Sequence, residues 1–291
     1  MKRSTTVSLG IIIGLLVTLL GLTIFLKIKA GKYKRALIHS EYTKDSFRKP
    51  EGLRHEATQS AQITPKKINI ITYHYVEYVE DPNDTTRKSL DINPHLFEGH
   101  LKNLQKNGYQ TDYVKNIPDI LDGKLPYASR SAFLTFDDGY EDFYTVVLPL
   151  LKKYDMKATI YVISDYIGRR GFLNESELKE IVASNRVEIG AHTLDHLGLK
   201  GLRPALARHQ VTESKQKLEQ MLGIEVKTLA YPYGSFDQQA IDITKEASFS
   251  AAVSVIPGTI QSKDNLFYLS RLRAGMFSEN NMTTILENMK K

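Results

Sequence analysis

From Lys67 onward the chain alternates short apolar runs with longer segments whose apolar residues recur every three or four positions. Ile68–Val76 (INIITYHYV), Ser131–Phe136 (SAFLTF), Ala158–Ile163 (ATIYVI) and Val187–Ala191 (VEIGA) read as strands. The TLA of VKTLAYPYG and Phe249–Val253 add two more. Between them lie helical patterns. Leu96, Phe97, Leu101 and Leu104 share one face of a segment closed by Gly108. Phe143–Tyr154, Glu175–Ser184, Leu202–Leu222 (ended by Gly223) and Asp237–Glu246 follow the same period. This β–α alternation predicts an α/β fold with a mostly parallel sheet and helices outside it. About seven repeats favour a closed or distorted (β/α) barrel over an open sheet, with chemistry at the C-terminal ends of the strands.

The N-terminal pattern differs. Val7–Leu26 is a run of 20 uncharged, mostly apolar residues, long enough to span a bilayer core. A cleaved signal peptide competes with this reading, but Ile28-Lys29-Ala30 is a poor cleavage site. The expectation is therefore a single-pass anchor (residues 1–30), a polar basic stalk (31–66) and a catalytic domain (67–291). A cell-membrane location with the catalytic domain outside follows. Lys27, Lys29, Lys32, Lys34 and Arg35 after the run favour the opposite orientation on a positive-inside count.

Charge sharpens this division. Net charge is +6, yet residues 1–66 hold 12 Lys/Arg against 4 Asp/Glu, +8, which leaves −2 for residues 67–291. The folded part therefore has no basic surplus for nucleic acid, while the stalk suits an anionic surface. With no cysteine in the chain, disulfides, thiolate metal sites and cysteine nucleophiles are excluded.

Four segments sit where strands should end: His74 in the first, FDDG (Asp137, Asp138) after the second, HTLDH (His192, His196), and YPYG. Adjacent carboxylates raise each other's pKa unless a positive group lies between them or takes one over. His192 and His196, four apart, can face one ion. Adding a carboxylate makes a His₂Asp set with open positions, suited to a catalytic divalent metal. Taken singly, DDG is more often a surface turn, and two histidines at this spacing arise by chance. The helical metalloprotease motif fails, because Thr193 stands where its Glu would be.

TFDDG, HTLDH and YPYG, in this order, resemble the polysaccharide deacetylase family (the NodB-homology domain, family-4 carbohydrate esterases) over roughly residues 67–275. The resemblance implies Asp138, His192 and His196 as ligands of one divalent metal, zinc first, with cobalt, nickel or iron as alternatives. It implies Asp137 as general base and the Tyr233 backbone N–H as oxyanion donor. The usual third motif carries Arg two residues before its Pro, where this chain has Ala230; Arg271 in YLSRLRAG is a replacement by position. The usual C-terminal general-acid His is also missing, since no His follows His209. His74 is similar to the acid of the biofilm poly-β-1,6-N-acetylglucosamine deacetylases, which share the AYPYG form of the third motif. Tyr73, Tyr140 and Tyr233 are candidates for sugar stacking, with Tyr140 and Arg271 as substrate-binding or base-orienting residues. His39, His55, His95, His100 and His209 fall on the stalk or on helices and carry no role.

The expected function is metal-dependent release of acetate from poly-β-1,6-N-acetylglucosamine, with polysaccharide synthase or export proteins as partners. Peptidoglycan and chitin-like oligomers are the substrate alternatives. A glycan-binding protein without activity is the rival from another class.

Overall fold

The computed structural model describes residues 47–54, 64–81 and 83–289. Ten strands are found among them: β1 (Lys66–Lys67), β2 (Asn69–Tyr73), β3 (Gln110–Thr111), β4 (Ser131–Phe136), β5 (Ala158–Val162), β6 (Val187–Ala191), β7 (Thr228–Ala230), β8 (Ala251–Val253), β9 (Ile260–Gln261) and β10 (Leu272–Arg273). The helices are α1 (Thr85–Leu90), α2 (Pro94–Lys106), α3 (Ile117–Leu121), α4 (Leu148–Lys153), α5 (Glu175–Ala183), α6 (Pro204–Leu222), α7 (Gln238–Glu246) and α8 (Met282–Asn288). The main sheet is parallel and runs β10-β2-β4-β5-β6-β7-β8, with β3 also on β4.

Both faces of this sheet are buried, which is why its strands read as unbroken apolar runs. β4 sends Ala132, Leu134 and Phe136 into one core cluster and Phe133 into another, the period-2 alternation of a strand. The larger cluster takes Phe97, Leu101 and Leu104 of α2, Leu178 and Ile181 of α5, and Val211 and Leu218 of α6. The smaller one holds Ile70, Phe133, Tyr161, Ala251 and Val253 from the strands with Val114, Ile117 and Ile120. The buried Glu188 of β6 is satisfied there by Thr159 and Thr228, both at 2.7 Å, and by the Lys115 N–H at 3.0 Å.

Two expectations are corrected. The sheet is a distorted half-barrel rather than a (β/α) barrel. Its end strands β8 and β10 are only three and two residues long. Between them the chain turns at Gly258 and sends β9 to pair antiparallel with β1 in a separate two-stranded sheet. One isolated bridge, Val253 to Leu269, lies across the seam. The second correction concerns the membrane. Among the described residues no helix is long and apolar enough to cross a bilayer. The longest, α6, carries Arg208, Glu213, Lys215, Lys217 and Glu219. The run Val7–Leu26 lies outside the described residues, so the expected transmembrane helix, membrane partner and membrane location have no support in the structure and are withdrawn.

Candidate active site

The site is built at the C-terminal ends of neighbouring strands. β4 delivers Asp137 and Asp138, 3 % and 4 % exposed. In a continuing strand they would point to opposite faces. Asp138 instead takes a left-handed φ of 78°, followed by Gly139 at 80°, and the chain turns so that both carboxylates serve one pocket.

Each carboxylate has its own partner. Asp137 accepts two hydrogen bonds from Arg271, Nη1 to Oδ1 and Nη2 to Oδ2, both 2.7 Å. Arg271 is itself buried, and its fork is fixed by Nε donating to the Ser254 carbonyl (2.7 Å) and Nη1 to Thr135 Oγ1 (3.1 Å). Burial alone would raise the Asp137 pKa, but the guanidinium holds it below the usual carboxylate value. Asp138 Oδ1 lies 3.3 Å from His192 Nε2 and 3.2 Å from His196 Nε2. Here too burial opposes ionisation, and the two imidazoles hold the carboxyl well below its ordinary range.

The pocket has other members. His74, directly after β2, places Nε2 3.9 Å from Asp137 Oδ2. Burial lowers its pKa; Asp137 and Asp138 pull the other way, without fully offsetting the loss of water. Tyr233 has φ 59°, and its ring tilts against His196 with centroids 4.4 Å apart. Thr193 (φ 60°) and His196 (φ 66°) are left-handed as well. Four non-glycine residues in this conformation around one pocket mark it as a place where backbone strain is tolerated.

The donor atoms of Asp138, His192 and His196 lie within 4.8 Å of one another, a buried to half-buried cluster able to hold a divalent metal. Two details fit such an ion. Asp138 Oδ1 is buried with no hydrogen-bond donor. His192 Nδ1 is 2.8 Å from the Ala230 carbonyl, which can only accept, so Nδ1 carries the proton and Nε2 presents a lone pair to the cluster.

Thus His74, Asp137, Asp138, His192, His196, Tyr233 and Arg271 come together, with Tyr140 two residues beyond Asp138 and stacked on Tyr75. Tyr73 does not. It is 1 % exposed, stacked on Phe136 and bonded to His100, so it has no face for a sugar. His95 pairs with Glu279 on the surface, His100 is buried in the core, His209 is exposed on α6, and His39 and His55 lie outside the described residues. Ala230 stands where the family's Arg is expected, yet its carbonyl orients His192. Residue identity gives no sign of that, and Tyr75, stacked on Tyr140, is marked in the sequence only by its place beside His74.

Comparison with known proteins agrees with this geometry. The polysaccharide deacetylase family model matches residues 124–252. YxkH of Bacillus subtilis, described as a polysaccharide deacetylase, is 32% identical over 209 residues, 72% of each chain. The poly-β-1,6-N-acetyl-D-glucosamine N-deacetylase of Staphylococcus aureus is 29% identical over 199 residues, 64% of this chain and 68% of that one. Among solved structures, the Streptococcus pyogenes deacetylase PplD in complex with acetate superposes with a TM-score of 0.70 at 30% identity, covering 78% of this chain and all of that one. A polysaccharide deacetylase from Bacillus cereus gives 0.67 at 27% identity, over 76% of this chain and 69% of its own. With fold, motif order and a metal-competent Asp/His/His cluster in agreement, the chain belongs to the polysaccharide deacetylase family and is a hydrolase of the N-deacetylase type.

Proposed function

We propose that residues 67–291 form a catalytic domain that removes N-acetyl groups from an N-acetylglucosamine polysaccharide, with the β-1,6-linked polymer as the first substrate to test. The observation that carries this is the bidentate Arg271–Asp137 pair beside a His₂Asp cluster whose carboxylate oxygen Oδ1 has no hydrogen-bond donor. The linkage is suggested by the Staphylococcus aureus relative, whose name specifies it.

Asp138, His192 and His196 hold the cation, zinc in the first instance. When bound, it supplies a Lewis acid that polarises an amide carbonyl and acidifies water. Asp137, kept ionised and aimed by Arg271, takes the proton from the attacking water. As water adds to the acetamide carbon, negative charge develops on the carbonyl oxygen, and the Tyr233 N–H is the donor assigned to it. The C–N bond then breaks. His74, its Nε2 3.9 Å from Asp137 Oδ2, passes the proton that Asp137 took from water on to the leaving nitrogen, so the products are acetate and a free amine.

Acetate release tests this. The full chain is incubated with β-1,6-linked and β-1,4-linked N-acetylglucosamine oligomers, each with and without chelator. The expected result is chelator-sensitive release from the β-1,6 series. Release from the β-1,4 series alone would keep the chemistry and move the substrate to wall or chitin-type glycans. No release from either, with zinc, cobalt or nickel supplied, would leave a glycan-binding protein.

A further inference from the structure

Tyr161 lies on β5 between Ile160 and Val162. The alternation of the strand sends those two into the larger core cluster and Tyr161 into the smaller one. Tyr161 is fully buried, and its hydroxyl makes no hydrogen bond among the described residues. The neighbouring strand makes room for its ring. Tyr161 is aligned with Gly190 of β6, and a Cβ at position 190 would stand 2.5 Å from both Cδ1 and Cε1 of the ring, with the Thr228 carbonyl next nearest at 3.0 Å. Gly190 is not in the left-handed region, so close approach of its neighbours, above all this ring, and not backbone conformation, calls for glycine there.

Seated against β6 in this way, the ring meets Arg271, whose Cζ stands over it 5.9 Å from the ring centre. Arg271 is a buried cation that has no bulk water to solvate it. Its N–H groups are engaged by the Ser254 carbonyl, Thr135 Oγ1 and both oxygens of Asp137. An aromatic face attracts a cation through its quadrupole, and the attraction is strongest where water is excluded. Such a face also takes no N–H from the guanidinium. Tyr161 can therefore hold Arg271 without competing with Asp137 for donors, as a polar side chain in the same place would.

We propose that Tyr161 is a positioning residue for deacetylation: its ring, fitted against Gly190, keeps the Arg271 guanidinium seated on Asp137 and so keeps that carboxylate aimed at the attacking water. This rests on reading Asp137 as the general base. The ring, not the hydroxyl, carries the effect, because the hydroxyl is bonded to nothing. Tyr161 acts through Arg271, so losing the ring should slow the chemical step and leave substrate and metal binding as they are. A misplacement of about 1 Å in a catalytic group can cost roughly 100-fold in rate.

The test compares wild type with Tyr161→Phe, which keeps the ring, and with Tyr161→Leu and Tyr161→Met, which lose it. Met is the second ringless variant because its flexible side chain fills irregular core space. Each is made in the full chain and checked for folding by urea unfolding. Acetate release is measured with saturating Zn²⁺ on the oligomer series that wild type deacetylates, and Zn²⁺ affinity by chelator competition. Folded Tyr161→Leu or Tyr161→Met is expected to lose roughly 10- to 100-fold in kcat with KM and Zn²⁺ affinity unchanged. Tyr161→Phe should restore the wild-type kcat. A folded ringless variant with wild-type kcat, or a Tyr161→Phe as impaired as Tyr161→Leu, would overturn the positioning role alone. If Asp137→Asn kept wild-type kcat, the general-base reading beneath the proposal would fall, and the proposal with it.

Discussion

Asp137 and Asp138 stay ionised side by side, although buried, because each has its own partner: the Arg271 guanidinium for the first, the two imidazole Nε2 atoms for the second. DDG in the sequence raises the question of what offsets the repulsion but supplies only half the answer, because Arg271 lies 134 residues away. Its position near the C-terminus suggests a substitute for the absent third-motif arginine; the bidentate geometry depends on folding the C-terminal segment against β2. The pair also sets a test. Asp137→Asn should leave metal binding intact and reduce acetate release by about 10²- to 10⁴-fold, the usual worth of a general base. Arg271→Met should lower both activity and stability, because it strands a buried carboxylate. The stability loss is expected at about 3–5 kcal/mol by urea unfolding. Asp137→Asn combined with Arg271→Met should recover part of it, since no unpaired charge is left. A double variant as unstable as Arg271→Met alone would mean that packing of the arginine, not its charge, is what matters.

At the scale of elements, the hydrophobic pattern finds the strands and helices that the sheet buries on both sides. Ser131–Phe136 and Val187–Ala191 match their observed limits, and Gly223, with φ 64°, ends α6 as its place in the sequence suggests. The two-residue strands β1, β3, β9 and β10 carry no periodic pattern, because two residues are too few to show one. The role of His100 is equally hidden. It sits on the apolar face of α2 and links that helix to two other elements. Its Nε2 donates to the Phe277 carbonyl at 3.4 Å, and its Nδ1 accepts from the Tyr73 hydroxyl at 3.1 Å. Burial pushes its pKa down to about 4 from 6.5. Between these values the unfolded chain binds the proton and the folded chain does not. His100 therefore favours folding above pH 6.5, and that contribution drains away as pH falls towards 4, by about 3 kcal/mol in all. His100→Gln can make the same two hydrogen bonds without titrating. Its stability deficit against wild type, measured by urea unfolding, should shrink by about 2 kcal/mol between about pH 7 and pH 4.5. A constant deficit would show that His100 titrates normally.

For the whole molecule, the parallel sheet is legible in the alternation of patterns, whereas its opening into a half-barrel is not. Closure depends on whether the last strands are long enough to pair across the seam, and β8 and β10, near that seam, are too short. The functional residues nevertheless converge, because the C-terminal ends of parallel strands meet on one side whether or not the barrel closes. This gives the metal cluster a thermodynamic consequence for the fold. Asp138 comes from β4 and the two histidines from the segment after β6, with β5 between them. An ion bound there joins the segments after β4 and β6 directly, and it binds the folded chain in preference to the unfolded one. At a free Zn²⁺ concentration about 100 times Kd the gain is about 2.7 kcal/mol. For a domain of this size that raises Tm by about 5–10 °C. Chelator should reverse the rise, and His196→Gln should show little or none of it while melting near the metal-free wild type. If zinc raised the melting temperature of His196→Gln as much as that of wild type, the stabilising ion would be bound elsewhere. Equal melting of the wild type in zinc and in chelator would mean that the cluster, despite its geometry, does not hold the ion in solution.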